Sequence, residues 1–350
     1  MSSAPSAAPS AAHVADLARQ TASQAARTSP KDALDAVLAT DRAEVDGVLR
    51  ASLDSEVALI RQVAEYIIGS GGKRLRPALV VMAARACGYE GRAHYTLAAV
   101  VEMIHTATLL HDDVVDESKL RRGIATANAT FGNAASVLVG DFLYSRAFQL
   151  MVGVGSMRVL DILSNATNVI AEGEVLQLMN SGDPTLDEST YLGVIRRKTA
   201  KLFEAAAELG AVLGDAPAGH VKSLADYGMH LGTAFQLVDD VLDYSGEIGA
   251  IGKNLGDDLA EGKMTLPLIR AIATGNAADA ALIRDAITRG RLTEFQPVVD
   301  VLNRTGALDY ARQSAERESE AAAACVAGLP DTPDRRNLLE LAAFAAHRTY

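Results

Sequence analysis

Residues 102–117 read EMIHTATLLHDDVVDE. Apolar side chains recur there at three- and four-residue spacing, the period of a helix with one side in a core. On an ideal helix Asp112 and Asp116 stand about 40° apart, with Asp113 to one side. Like charges at that spacing repel by roughly a few tenths of a kcal/mol, and apolar neighbours weaken the hydration that would relieve them. Residues 236–244, QLVDDVLDY, repeat the device with Asp239, Asp240 and Asp243, and Gln236 falls on their stripe. Two such stretches ask what the carboxylates hold.

Outward from these stretches the helical period continues. EVALIRQVAEYII (56–68) and SVLVGDFLYSRAFQLM (136–151) show it clearly, and no alternating strand pattern stands out. Ala, Leu, Glu, Arg and Met dominate long segments, which favours helix. Breaks fall at GSGGKRLRP (69–77), around Gly88 to Gly91, at RRG (121–123), around Gly153 to Ser156, at NSGDPT (180–185) and LGDAPAG (213–219), at SGEIGAIGKNLGDD (245–258), and near Gly275 and Gly290. The expectation is an all-α, single-domain bundle of about ten to a dozen helices over residues 31–350, around a central cavity. Several helices look apolar all round, which suits central helices or a dimer interface.

The chain has 350 residues, enough for a substantial core, and 49% of them are hydrophobic. Its formal charge of −11 argues against nucleic acid as the main partner. No run of 18 apolar residues occurs. The best candidate for a membrane span, residues 97–111, is interrupted by Glu102 and His105. Cys87 and Cys325 have no metal-ligand spacing and read as free thiols in a reducing cytoplasm. Residues 1–30, rich in Ala, Ser and Pro, read as a disordered arm. Scarce acid with Arg19 and Arg27 leaves an organellar transit peptide open as a second reading of that arm.

Carboxylates in pairs suit Mg²⁺, a hard cation that shares its sites between protein oxygens, water and substrate phosphates. A solvated acidic face produces the same spacing, but two copies in apolar frames speak against it. An EF-hand is excluded, since its ligands alternate along a loop with a turn glycine. The basic residues indicate what the metal carries. GGKRLRP supplies Lys73, Arg74 and Arg76, KLRRG supplies Arg121 and Arg122, and RRKTAK supplies Lys198 beside Thr199. GKNLGDDLAEGKMTLP supplies Lys253 and Lys263. Arg forks and Lys point charges are phosphate ligands. Each also has the ordinary reading of a solvated surface cation, and for Arg74 the two readings stand level.

These segments, with AEGEVLQL (171–178) and RKTAKLFEAAAELG (197–210), resemble the motif series of the E-type (trans) polyprenyl diphosphate synthases, from about Asp41 to the C-terminus. The resemblance implies that Asp112, Asp116 and Asp239 are the principal ligands of three Mg²⁺ ions, with Asp113, Asp240 and Asp243 in support. It implies that Arg121, Lys198, Lys253 and Lys263 grip an allylic diphosphate, with Thr199 and Gln236 near the reacting carbons. It gives Lys73, Arg76, His105 and Arg122 to isopentenyl diphosphate. His105 lies on the stripe of Asp112, though a single His among apolar residues reads equally as a core histidine.

The implied chemistry is repeated addition of five-carbon units, to about eight isoprene units in a long-chain member, by a homodimer. A terpene cyclase and a non-catalytic partner subunit are the competing readings. The second aspartate motif and the full set of basic residues argue against both. Product length is expected to be set below the metal site. Ala107 and Thr108 are small enough to leave a route, Phe148 is the expected floor, and Gly228 and Gly232 open the opposite wall. Ordinary close helix packing also selects small residues.

Overall fold

The computed structural model describes residues 30–69, 71–121, 123–245, 255–290 and 292–348. All of the N-terminal arm but its last residue, Pro30, thus lies outside the described residues, as do Arg122 and Lys253. Residues up to Ala39 and those from Thr40 onward form two compact units. Of the first, residues 30–39 are described and are helical. The second contains both aspartate stretches and the helices that position them.

Helix follows helix, with breaks where glycine and turn residues predict them. The order is α1 (Pro30–Ser52), α2 (Ala58–Gly69), α3 (Leu75–Ala86), α4 (Ala93–Val115), α5 (Ala127–Phe131), α6 (Asn133–Val154), α7 (Met157–Asn180) and α8 (Glu188–Ile195). A π-helical segment, Arg196–Ala200, joins α8 to α9 (Lys201–Leu213). Then come α10 (Ala218–Ser245), α11 (Asp257–Ala260), α12 (Leu266–Thr274), α13 (Ala277–Arg289), α14 (Phe295–Arg304), α15 (Ala307–Val326) and α16 (Pro333–His347). Among the described residues the helices outnumber the expected ten to a dozen because short ones are counted with the long, such as α5 after the RRG break and α11 at the end of the 245–258 break. The RRG break also holds a two-residue antiparallel ladder, β1 (Leu120–Arg121) with β2 (Ile124–Ala125).

Local chemistry sets the ends. Ser156, Asp187 and Thr332 cap α7, α8 and α16 by accepting backbone N–H groups, and Asn276 forms a capping box with Asp279 at the start of α13. Gly155 closes α6 in a left-handed conformation with φ 73°.

The two aspartate stretches lie on α4 and α10. Both pack on α9, and their principal partners are otherwise different: α6 and α3 for α4, and α15 for α10. The helix α9 thus packs against both helices that carry the aspartates. Gly228 and Gly232 create no open wall here. A Cβ on Gly228 would lie 2.3 Å from the Phe203 carbonyl oxygen, and one on Gly232 would lie 2.6 Å from the Ala200 Cα. These glycines let α10 close on α9 and on the π-helical segment. Gly232→Ala is expected to lower the melting temperature, with an overpacking cost of about 1–3 kcal/mol, because the nearest obstructing atom is backbone and the others are the Ala200 Cβ and the Phe203 ring. A melting curve matching the parent would show that the two elements have slack.

Among the described residues one helix, α6, is long and apolar enough to cross a membrane by length and composition. One side of it enters the core through Val139, Leu143, Ala147 and Met151. Its other side exposes Val137, Leu138, Phe148 and Val152, and the adjoining α7 exposes Val175, Leu178 and Met179. Phe148 is 40% exposed and so forms no floor of an internal cavity. Its neighbour Ala147 takes the inward position.

Candidate active site

Each aspartate of the two motifs has its own partner. Asp112 forms an ion pair with Lys198 at 3.6 Å, and Asp116 accepts a hydrogen bond from Lys263 at 3.1 Å. The second contact ties α4 to a residue 147 positions later in the chain. Asp239 pairs with Arg348, whose guanidinium also donates to the Phe235 carbonyl at 2.6 Å and lies 3.7 Å from the centre of the Phe235 ring. The Asp243 carboxylate accepts the Asp258 backbone N–H at 3.3 Å at the start of α11. Repulsion within the motifs is thus opposed by fixed donors.

The six carboxylates divide by exposure. Asp112, Asp116 and Asp239 retain accessible side chains, 17%, 19% and 45% respectively. Asp113 is fully buried, and its Oδ1 accepts both Nε and Nη2 of Arg121, at 2.9 and 2.7 Å. Asp240 is buried between the Tyr191 hydroxyl and the Gln236 amide. Asp113 therefore departs from its expected part as a metal ligand. Its carboxylate is turned into the protein, where it orients Arg121. Asp243 is also largely buried.

Further acids surround the lysines. Lys198 lies between Asp112 and Glu174, and Lys263 also pairs with Glu261. Burial, with Asp112 nearby, pushes the Glu174 carboxyl up to about 7 against the opposing pull of Lys198. Burial raises Asp112 as well, as does Asp116, while Lys198, Arg121 and Lys263 oppose the rise. Burial would lower Lys263, but Asp258, Asp116 and Glu261 outweigh it and hold the ammonium above its usual range.

The π-helical turn explains how Lys198 and Thr199 are presented. Widening the helix at Arg196–Ala200 changes its phase, and such bulges often occur at functional sites. Gly173 on α7 allows the approach, since a Cβ there would sit 2.6 Å from the Lys198 backbone nitrogen. Across the turn the Thr199 hydroxyl donates to Gln236 Oε1 at 3.0 Å.

The basic residues of residues 69–77 gather on aromatic rings. Lys73 Nζ lies 5.8 Å from the Phe235 ring centre and 6.0 Å from that of Phe344, and the Arg76 guanidinium lies 4.3 Å from Phe203. Phe203 and Phe235 touch, with centres 5.7 Å apart, so Lys73, Arg76 and Arg348 share one aromatic floor. Arg74 belongs elsewhere. It pairs with buried Glu102 and donates to the Ile68 carbonyl, which makes it a structural cation. His105 is half-buried on α4, and its carbonyl accepts the Thr108 hydroxyl at 2.8 Å.

Among the described residues, no three His, Cys, Asp or Glu side chains converge as a ready metal cage. The accessible donors are carboxylate oxygens on two separate helices. That set fits Mg²⁺, which is commonly held by one or two carboxylates together with substrate phosphates.

A family model described as Polyprenyl synthetase matches residues 57–302. The chain belongs to that family. It is therefore a prenyltransferase with the isoprenoid synthase fold. The chain is 55% identical over 311 residues to the octaprenyl diphosphate synthase of Escherichia coli K12, covering 89% of this chain and 96% of that one. The crystal structure of a Caulobacter crescentus CB15 polyprenyl synthase, complexed with calcium and isoprenyl diphosphate, superposes with a TM-score of 0.89. It is 47% identical, with 93% of this chain and 99% of that chain covered. A Rhodobacter capsulatus decaprenyl diphosphate synthase gives a TM-score of 0.85 at 47% identity, covering 91% and 99%.

Residues that sequence reasoning gives no role are Glu174, Tyr191, Glu261 and Arg348. Glu174 sits inside AEGEVLQL, and its position in that motif is the available signal. Arg348 contacts a residue 109 positions away, which no local pattern reveals.

Proposed function

We propose that the protein is a Mg²⁺-dependent, long-chain trans-prenyltransferase. It condenses isopentenyl diphosphate repeatedly with an allylic diphosphate such as farnesyl diphosphate, to about eight isoprene units for a respiratory quinone side chain. The observation that carries this reading is the pair of accessible carboxylate walls, Asp112 with Asp116 and Asp239, the first flanked by Lys198 and Lys263, cations suited to diphosphate. Similarity to octaprenyl diphosphate synthases supports the length. The calcium and isoprenyl diphosphate described for the Caulobacter relative support a divalent metal with a diphosphate ligand.

Asp112, Asp116 and Asp239 are the residues that would hold magnesium, three ions in all. Bound metal would neutralise the departing diphosphate and so favour cleavage of its C–O bond. Lys198, Lys263 and Arg121 are placed to grip the same group, and Asp113 fixes the plane of Arg121. Lys73 and Arg76 hold the second diphosphate, with His105 and Arg122 assigned to it by the resemblance, and Lys253 assigned to the first. The isopentenyl double bond attacks the allylic carbon as that carbon becomes positive, and loss of one proton restores an allylic diphosphate longer by five carbons. Thr199 and Gln236 offer oxygen atoms to the positive carbon.

Residues 31–350 form the catalytic domain in this reading, and residues 1–30 an arm outside it. The exposed apolar side of α6 and α7 supports a homodimer, since contiguous apolar surface of this kind marks an interface. A cytoplasmic enzyme fits the two free cysteines.

Incubation with farnesyl diphosphate, isopentenyl diphosphate and Mg²⁺, followed by mass analysis, tests the assignment. Products of about eight units are expected, and a cyclised hydrocarbon or no elongation would overturn it. Arg76→Ala is expected to raise KM for isopentenyl diphosphate by at least about ten-fold while leaving KM for the allylic substrate nearly unchanged. Equal effects on both substrates would move Arg76 to a different subsite.

A further inference from the structure

Arg74 opens α3 in the left-handed conformation, with φ 50° and ψ 34°. That region disfavours any residue with a side chain, because its Cβ crowds the following carbonyl. Gly71 and Gly72 stand just before it at positive φ, yet position 74 carries an arginine. Strain of this kind persists only where the surroundings fix it.

Here the guanidinium is what the surroundings hold. Its Nη1 donates to Glu102 Oε1 on α4, and its Nη2 donates to the Ile68 carbonyl on α2 at 3.2 Å. Its Nε lies 3.9 Å from Asp46 Oδ1 on α1. The side chains of Arg74 and Glu102 are 11% and 5% exposed. A planar fork engaged by three helices fixes a direction as well as a charge.

The cations on either side of Arg74 go elsewhere. Lys73 lies over Phe235 of α10 and Phe344 of α16, and Arg76 lies over Phe203 of α9. Arg76 is carried by α3 itself, whereas Lys73 is carried by the strand of backbone that enters it. The torsions of residue 74 therefore set where Lys73 stands relative to Arg76. Two cations grip one diphosphate best when their placement is fixed before it binds.

We propose that Arg74 and Glu102 are positioning residues for the diphosphate subsite of Lys73 and Arg76. Their buried ion pair holds residue 74 left-handed, and that conformation keeps both cations directed at one ligand. Arg74 acts through the backbone, its own guanidinium being engaged by Glu102 and Ile68. The inference rests on the prenyl-transfer reading above, which gives this subsite isopentenyl diphosphate.

Two double variants separate backbone from charge: Arg74→Ala with Glu102→Gln, and Arg74→Gly with Glu102→Gln. Both remove the ion pair, and neither leaves a buried carboxylate unpaired. They differ in that glycine adopts the left-handed region readily and alanine does not. With alanine, KM for isopentenyl diphosphate is expected to rise about 30-fold. With glycine it should rise only about three-fold, the gap of roughly ten-fold reflecting the left-handed penalty on a Cβ. KM for the allylic substrate and kcat should stay within about two-fold of the parent in both proteins.

Equal rises with alanine and glycine overturn the proposal, since the lost charge would then be what matters. Unchanged KM values beside lowered melting temperatures overturn it too, leaving the pair a cross-link between helices. So do parallel rises for both substrates, which would route the effect through α4 to its aspartates. Should neither double variant fold, Glu102→Gln alone is measured, where Arg74 still donates to an amide oxygen but through a weaker bond. A rise of about three-fold in KM confined to isopentenyl diphosphate supports the proposal, and no rise overturns it. Turnover of the parent chain with the same substrates, measured first, separates failure of this pair from failure of the prenyl-transfer reading.

Discussion

Asp112→Ala and Asp239→Ala are each expected to lower turnover by roughly 10²–10³-fold at saturating Mg²⁺, as loss of transition-state charge stabilisation commonly does. Their effects on stability should differ, because their partners differ. Lys198 lies between Asp112 and Glu174, so removing Asp112 leaves the lysine an acid to pair with. Arg348 has a side chain only 2% exposed, and with Asp239 gone it keeps the Phe235 carbonyl and ring but no carboxylate. A lower melting temperature is therefore expected for the Asp239 variant and not for the Asp112 variant. Asp113→Ala provides the contrast. It removes the buried acceptor of Arg121, a loss of about 3–5 kcal/mol for a buried pair broken on one side. Instability is thus expected to dominate the Asp113 variant. Single-turnover assays and melting curves on the three proteins decide the matter. Near-normal turnover of the Asp112 and Asp239 variants would remove the metal role of both stretches.

That division among neighbouring aspartates is not legible in the sequence. Helical spacing places Asp112 and Asp116 on one stripe and puts Asp113 aside, but it does not say that Asp113 is buried against Arg121. The helices themselves are legible, because long amphipathic segments carry their own period and their breaks are chemically marked. The π-helical turn is not. RKTAKLFEAAAELG reads as uninterrupted helix, and the bulge arises where α7, through Gly173, and α10, through Gly232, press on the same turn. The glycines of α10 mislead for the same reason. Absence of a side chain signals either space or close contact, and only tertiary packing says which. Phe148 misleads differently, since an aromatic residue in an apolar helix looks internal until the helix proves to have one apolar side uncovered.

The loss of Phe148 as a floor sharpens what is expected of chain length. Thr108 lies one turn before Asp112 and is half-buried, while Ala107 is wholly enclosed. A ring at Thr108 would lie beneath the carboxylates proposed to bind metal, about 6 Å along the helix from the level of Asp112. A ring at Ala107 would first have to displace core, at a cost of about 1–3 kcal/mol. Thr108→Phe is therefore expected to stop elongation at roughly three or four isoprene units with the protein still stable, whereas Ala107→Phe should shorten products and lower the melting temperature together. Losing the Thr108 hydroxyl matters little, because its hydrogen bond goes back to the His105 carbonyl on the same helix. Phe148→Ala would lengthen the product if the ring were a floor. It should instead leave the length unchanged, since the ring stands on the side of α6 that faces away from the core, the side assigned above to the homodimer. Mass analysis of products from the three variants tests the whole arrangement. Active Thr108→Phe enzyme making full-length product would show that the chain grows away from α4, and longer products from Phe148→Ala would show that the outer side of α6 joins the ruler.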